Sequence, residues 1–193
     1  MISASLEENV TCLDRRLAVG KSFDIVSRPL VIAGRKSRFY VVDGMCKDEL
    51  LHKLLEFFLG LKEKELPKEP VEMARRFMPT VEMELENDVQ KIEKNLLSGV
   101  FCLLIDGYDQ CILIDARTYP ARSFEEPEKD KALRGAKDCF VETVVFNTAM
   151  IRRRIRSSDL RMEMYTIGES SRTDVVISYM DSRVNRPLLD KVR

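Results

Sequence analysis

Apolar positions recur at two different periods along this 193-residue chain, and each change of period marks a change of element. Leu6, Val10, Leu13 and Leu17 fall three and four apart, which is one helical face, and Gly20 follows as a stop. Phe23 to Ile32 alternates as a strand, and Pro29 marks it as an edge because proline has no N–H for a central ladder. The turn AGRKS then leads to a second strand, Phe39 to Val42, closed by Asp43 and Gly44. Lys47 to Leu59 predicts a helix with Asp48, Glu49, His52, Lys53 and Glu56 on its polar face and Gly60 as its stop. Lys62 to Pro79 is charged and carries Pro67, Pro70 and Pro79, so it is the best boundary in the chain, with room for a short helix over Val71 to Met78. Thr80 to Leu85 alternates as an edge strand, and Asn87 caps a helix that runs through Leu97 to Gly99. Two apolar strands, Val100 to Ile105 and Cys111 to Ala116, flank DGYD, a hairpin signal. Residues 117–138 read as a charged, irregular loop. Phe140, Val144, Ile151 and Ile155 mark a long helix, Arg161–Ile167 and Asp174–Met180 a strand pair around GESSR, and Pro187 to Val192 a last helix.

Sliding Val41–Leu54 by 138 residues places Asp43, Leu50, Leu51 and Lys53 on Asp181, Leu188, Leu189 and Lys191. Both stretches run strand, turn, strand, Asp, helix. The expected fold is therefore α/β, with two small α/β subdomains, each a mixed β-sheet flanked by helices. The expected division is residues 1–79, ending in the proline-rich linker, and residues 80–193.

Composition removes several classes of function. Lys plus Arg equals Asp plus Glu at 32 each, so no long-range field draws nucleic acid or acidic substrates. The longest uninterrupted apolar run, Val100 to Ile105, is far shorter than the roughly 20 residues of a bilayer span. The start, MISASLEENV, is acidic where a secretory signal is basic, which points to the cytosol. Five cysteines, Cys12, Cys46, Cys102, Cys111 and Cys139, lack CxxC spacing and read as reduced. With Gly107 and Tyr108 as the hairpin turn, Cys102 faces Leu113 and Leu104 faces Cys111. The two thiols then lie diagonally, at about 7 to 8 Å, too far for an unstrained disulfide.

Candidate chemistry is thin. The one histidine, His52, sits between Glu49 and Glu56 on a solvated helical face, without a nucleophile to serve. Glu125 and Glu126 are adjacent in a loop and diverge, whereas paired catalytic carboxylates converge from separate elements. AGRKS and GESSRT lack phosphate-loop spacing and lie between strands. No catalytic residue, metal or cofactor is expected. The strongest local signal is IRRRIR: one or two of its arginines suit a helix C-terminus, and the rest offer contact to an acidic protein surface or, less well, to anionic lipid.

The run DGYDQCILIDARTYPAR from Asp106, with EEP at Glu125, RGAKD at Arg134, FNTAMIRRRIR at Phe146 and RTDV at Arg172, resembles the N-terminal domain of the GerA family of spore germination A subunits, and most closely its protein AF branch. FDIVSRP and FYVVDGMCKDE near the start are similar as well. The resemblance implies a soluble domain of two α/β subdomains ahead of a membrane domain, on the core-facing side of the inner spore membrane. It implies assembly into oligomeric ion-release channels, with a second copy and other germination membrane proteins as partners. The alternative it leaves open is small-ligand sensing in a cleft between subdomains. Carried over by motif, the interface residues are Asp115, Arg117 and Arg122 of the strand-to-loop element, Glu125 and Glu126 of the acidic loop, and Arg134 before the helix. Glu142, Asn147, Arg152, Arg153 and Arg154 belong to the helix, and Thr173 and Asp174 to the late strand. Cys139 departs from the family pattern, where a glycine is expected.

Overall fold

The computed structural model describes residues 1–77, 82–119 and 139–193. Helix α1 (Leu6–Leu17) is capped by Ser5, whose side chain accepts from Glu8 N–H, and ends in Ala18 at φ 51°. Strands β1 (Ile25–Ile32) and β2 (Arg35–Val42) form a hairpin whose two-residue turn is Ala33 and Gly34, at φ 48° and 77°. Two positive φ angles in succession match the twist of the flanking strands, so the turn is shorter and β2 longer than AGRKS suggests. Helix α2 (Asp48–Gly60) and helix α3 (Pro70–Phe77) follow, then β3 (Met83–Glu86) and α4 (Val89–Leu97). The cap of α4 is Asp88, not Asn87: Asp88 Oδ1 accepts Gln90 N–H at 2.8 Å. Strands β4 (Phe101–Ile105) and β5 (Cys111–Ile114) make the expected hairpin, with Cys102 opposite Leu113 and both thiols free.

Five strands form one sheet in the order β1-β2-β4-β5-β3, antiparallel throughout. Strands from before and after the proline-rich segment therefore share one ladder system. That segment is itself pinned, since the buried Tyr108 hydroxyl donates to Pro67 O at 2.6 Å. Alternation sends Tyr40, Val42, Cys102, Leu104, Cys111 and Leu113 toward α1 and α4, and Phe39, Val41, Phe101, Leu103, Ile105 and Ile112 into the second core with α2 and α3. All nine residues of β4 and β5 are buried, because helices cover both faces.

The rest of the described chain is a smaller module. Helix α5 (Val144–Arg154) begins later than Phe140, which is exposed. Strands β6 (Leu160–Ile167) and β7 (Thr173–Met180) form a separate antiparallel pair, and α6 (Arg186–Val192) closes it, capped by Asn185. Both sheets are thus antiparallel where mixed ones were expected. Gly44, at φ 74°, sets the approach of α5: a Cβ there would lie 3.0 Å from Ala149 Cβ and from Val145 Cγ1.

Candidate functional site

Helix α5 carries the arginines and sorts them by periodicity. Thr148, Ala149 and Arg152 share its buried face, while Arg153 and Arg154 point outward. Arg152 has no exposed surface, nor has Asp24 across from it. Arg152 Nε donates to Asp24 Oδ2 at 2.7 Å and Nη2 to Asp24 Oδ1 at 3.2 Å. Nη1 donates to Ser157 O at 2.7 Å, and Nη2 reaches Leu160 O at 3.1 Å and Ser22 Oγ at 3.4 Å. The Ser22 hydroxyl donates to Asp24 Oδ1 at 2.6 Å and accepts Met162 N–H at 3.0 Å. Burying two charges is costly unless every donor finds an acceptor, and this network supplies acceptors to all three guanidinium nitrogens. It locks the hairpin module onto the segment that enters β1, where Phe23 N–H also donates to Met162 O at 3.0 Å.

A second cluster lies at the end of β5. Arg117 forms a forked pair with Asp115, whose carboxyl is held below the usual range chiefly by that guanidinium. Arg117 also bridges to Cys46 through an isolated β-bridge, and Thr118 N–H donates to Met45 O at 2.9 Å. Tyr119 donates its hydroxyl to Ser98 O at 3.0 Å, and the Arg153 guanidinium stacks over its ring at 4.4 Å. Arg153 therefore ties the outer face of α5 to the rim of the five-stranded sheet.

The other expected residues divide. Asn147 binds Val141 through both amide atoms, at 2.6 and 2.7 Å, and so fixes the entry to α5. Glu142 is exposed beside it. Thr173 and Asp174 lie at the far end of the hairpin, where Asp174 accepts the Thr166 hydroxyl at 3.1 Å. Arg122, Glu125, Glu126 and Arg134 fall outside the described residues. Sequence reasoning missed Asp24, Ser22 and Tyr119. A carboxylate flanked by Phe23 and Ile25 at a strand entry is the signal that could have found Asp24.

At the outer face of β6, Glu163 accepts from Arg193 at 2.6 and 3.0 Å, from Tyr165 at 2.6 Å and from Tyr179 at 2.5 Å. The Arg193 guanidinium first, then the two phenols, lower its carboxyl to about 2. Where β1 and β6 diverge from the Ser22–Met162 contact they enclose a cleft of about 520 Å³, lined in part by Lys21, Ser27, Arg28 and Met164. Ser27 Oγ, opposite Tyr40 in the ladder, is shut off from solvent and makes no hydrogen bond of ordinary geometry among the described residues. Among the described residues His52 is exposed, no group of three or more His, Cys, Asp or Glu side chains is placed to hold a metal, and no helix is long and apolar enough to cross a membrane.

The profile of the Bacillus/Clostridium GerA spore germination proteins matches residues 13–193. Stage V sporulation protein AF of Bacillus subtilis is 33% identical over 96% of this chain and 38% of its own length. The uncharacterized membrane protein YfkQ of Bacillus subtilis is 29% identical over 100% of this chain and 37% of its own. The chain thus spans less than two fifths of either relative. The crystal structure of the N-terminal domain of the A subunit of the Bacillus megaterium spore germinant receptor GerK3 superposes with a TM-score of 0.73 at 20% identity, covering 99% of this chain and 70% of that one, which shows the shared fold.

Proposed function

This chain belongs to the GerA family of spore germination proteins, and from that premise we propose that it is a non-enzymatic domain of a germination membrane protein. It faces the cytosol at the inner spore membrane and holds copies of itself and accessory proteins in register within an ion-release channel. The observation that carries this reading is the division of labour on α5. Arg152 is consumed by a buried clasp, so the helix is held rigidly while the exposed Arg153, stacked on Tyr119, and Arg154 form the outward basic surface. A fixed cationic face is what an acidic partner surface recognises, because its side chains lose little freedom on contact. Asp115 and Arg117 brace the rim beneath Tyr119. Arg122, Glu125, Glu126 and Arg134 belong to the same proposed interface by motif.

The test is Arg153→Glu in the full-length protein. The substitution abolishes oligomer formation or partner capture on native gels while the domain keeps its fold, and unchanged assembly refutes the role of this surface. A second reading, a small anionic metabolite in the cleft, draws on Lys21 and Arg28, which line it and have no carboxylate partner among the described residues. Calorimetric titration with a panel of germinants and carboxylates decides it, since a binder that loses affinity in Arg28→Ala would put sensing ahead of assembly.

A further inference from the structure

The chain folds one hairpin–helix unit twice. β2 and β7 coincide at both ends at an offset of 138 residues, and α2 and α6 begin at that same offset. The two helices are held differently. α2 buries Leu54 and Phe58 in the second core, whereas α6 buries Leu189 alone. Two arginines seat α6 on its hairpin. At its start Arg186 Nη2 donates to Asp181 Oδ1 at 2.5 Å. Beyond its end Arg193 forks onto Glu163, Nη2 to Oε1 at 2.6 Å and Nε to Oε2 at 3.0 Å. The Tyr179 phenol donates to the same Oε1 and the Tyr165 phenol to the same Oε2, so the carboxylate is held in the orientation that receives the fork.

Glu163 follows Met162, whose main chain joins β6 to the five-stranded sheet. Met162 N–H donates to Ser22 Oγ and Met162 O accepts Phe23 N–H, both at 3.0 Å. Two positions earlier, Leu160 O accepts Arg152 Nη2 at 3.1 Å. The stretch from Leu160 to Glu163 thus carries the clasp toward β1 on its main chain and the seat of α6 on a side chain. The same stretch bounds the cleft: Met162, Glu163 and Tyr165 line it from β6, and Ser27 and Arg28 from β1. β6 moves as a piece because its ladder to β7 is continuous from Leu160 opposite Met180 to Ile167 opposite Thr173. A two-stranded ribbon is marginal alone, so each fastening reduces the ordering cost that the other must meet. Loss of one therefore weakens the other, although no atom is shared between Arg193 and the clasp.

We infer that β6 is a conformational link between α6 and the entry to β1. Releasing Arg193 from Glu163 loosens the junction of Ser22 and Phe23 with Met162, where the cleft begins, and parting that junction loosens the end of α6. The coupling is reciprocal, since one free energy joins the two fastenings. Its carrier is a rigid ladder with a hydrogen-bonded group at each end. The link lies within this chain and is independent of what the arginine surface of α5 binds.

Amide hydrogen exchange of the chain, followed residue by residue by NMR, tests the link from both ends. Arg193→Gln removes a partly exposed side chain and is expected to speed exchange of the Phe23 and Met162 amides at least threefold, while Leu103 in β4 and Ile112 in β5 keep their rates. Tyr179→Phe, which takes away one phenol and leaves the ion pair, is expected to give a smaller increase at the same two amides. From the other end, Ser22→Ala is expected to speed exchange of the Arg193 amide, which donates to Leu189 O, at least twofold. In the double variant Ser22→Ala with Arg193→Gln, the Phe23 amide should exchange more slowly than the product of the two single factors, because the second fastening is already weakened when the first is lost. The inference is overturned if Phe23 and Met162 are unchanged in Arg193→Gln, whatever happens within α6, or if the double variant returns the simple product. It is also overturned if Leu103 and Ile112 speed up by the same factor as Phe23, which would report unfolding of the whole chain in place of a local link.

Discussion

The two hairpin–helix units, β1-β2-α2 and β6-β7-α6, share a plan and differ in what holds them. The first lies within a five-stranded sheet and is stabilised by apolar burial, with Tyr40 and Val42 on one face and Phe39 and Val41 on the other. The second buries Leu160, Met162 and Leu189, and leaves Met164, Ile167, Val175, Leu188 and Val192 exposed. A two-stranded ribbon is marginal alone. This one is secured by polar fastenings, Arg152 to Asp24 at its base and Arg193 to Glu163 on its flank. Local grammar therefore decides which elements form, and the surroundings decide how firmly they are held.

The contrast can be broken most forcefully from the apolar side. Phe101 is fully buried and stacks on Phe39 at 5.4 Å, and Phe101→Ala is expected to destabilise the whole sheet by about 3–5 kcal/mol, read as a lower denaturant midpoint. On the polar side, Arg152→Met leaves a buried carboxylate unpaired and should cost about 3 kcal/mol or more. Amide protection should disappear from β6 and β7 while β4 and β5 keep theirs, and adding Asp24→Leu should recover most of the loss. Uniform loss of protection across both sheets would show that the units do not unfold separately.

The helix caps sharpen the comparison at a smaller scale. Asn185 Oδ1 accepts Leu188 N–H at 3.1 Å, whereas Lys47 provides no side-chain cap for α2. Asn185→Ala should cost the second unit about 1 kcal/mol, and Lys47→Ser should stabilise the first by about 0.5 kcal/mol, both read by thermal denaturation. The smallest effect is that of pH. Glu163 has its carboxyl lowered to about 2, below the ordinary value of about 4.3, so its contribution is fully present above about pH 4.3 and is lost as pH falls through about 2. An acid titration of hairpin stability should show that loss, and Glu163→Gln should flatten it.

Much of the fold was legible because the signals were local. The 3.6 and 2.0 periods give the helices and strands, and DGYD gives the register of β4 and β5. The repeat of Asp43 and Leu50 at Asp181 and Leu188 anticipated the duplicated unit. The extent of the sheet was not legible, because nothing in Lys62–Pro79 says that the chain returns to pair beyond it. The role of Arg152 was hidden inside a run of like residues. Its distinction from Arg153 lies in its phase relative to Thr148 and Ala149, which becomes meaningful once Gly44 is known to lie beneath that face of α5. Asp24 escaped because its partner is 128 residues away.

That separation also has a consequence in time. Ribosomes add about 5–20 residues per second, so Asp24 leaves the tunnel roughly 6 to 26 seconds before Arg152 does, given the 128 residues between them. During that interval the strands of the five-stranded sheet are made, while the arginine and the β6 residues that complete the clasp around Asp24 are not. The entry to β1 therefore waits unfastened in the nascent chain until α5 and the start of β6 have both emerged, and only then does the clasp close.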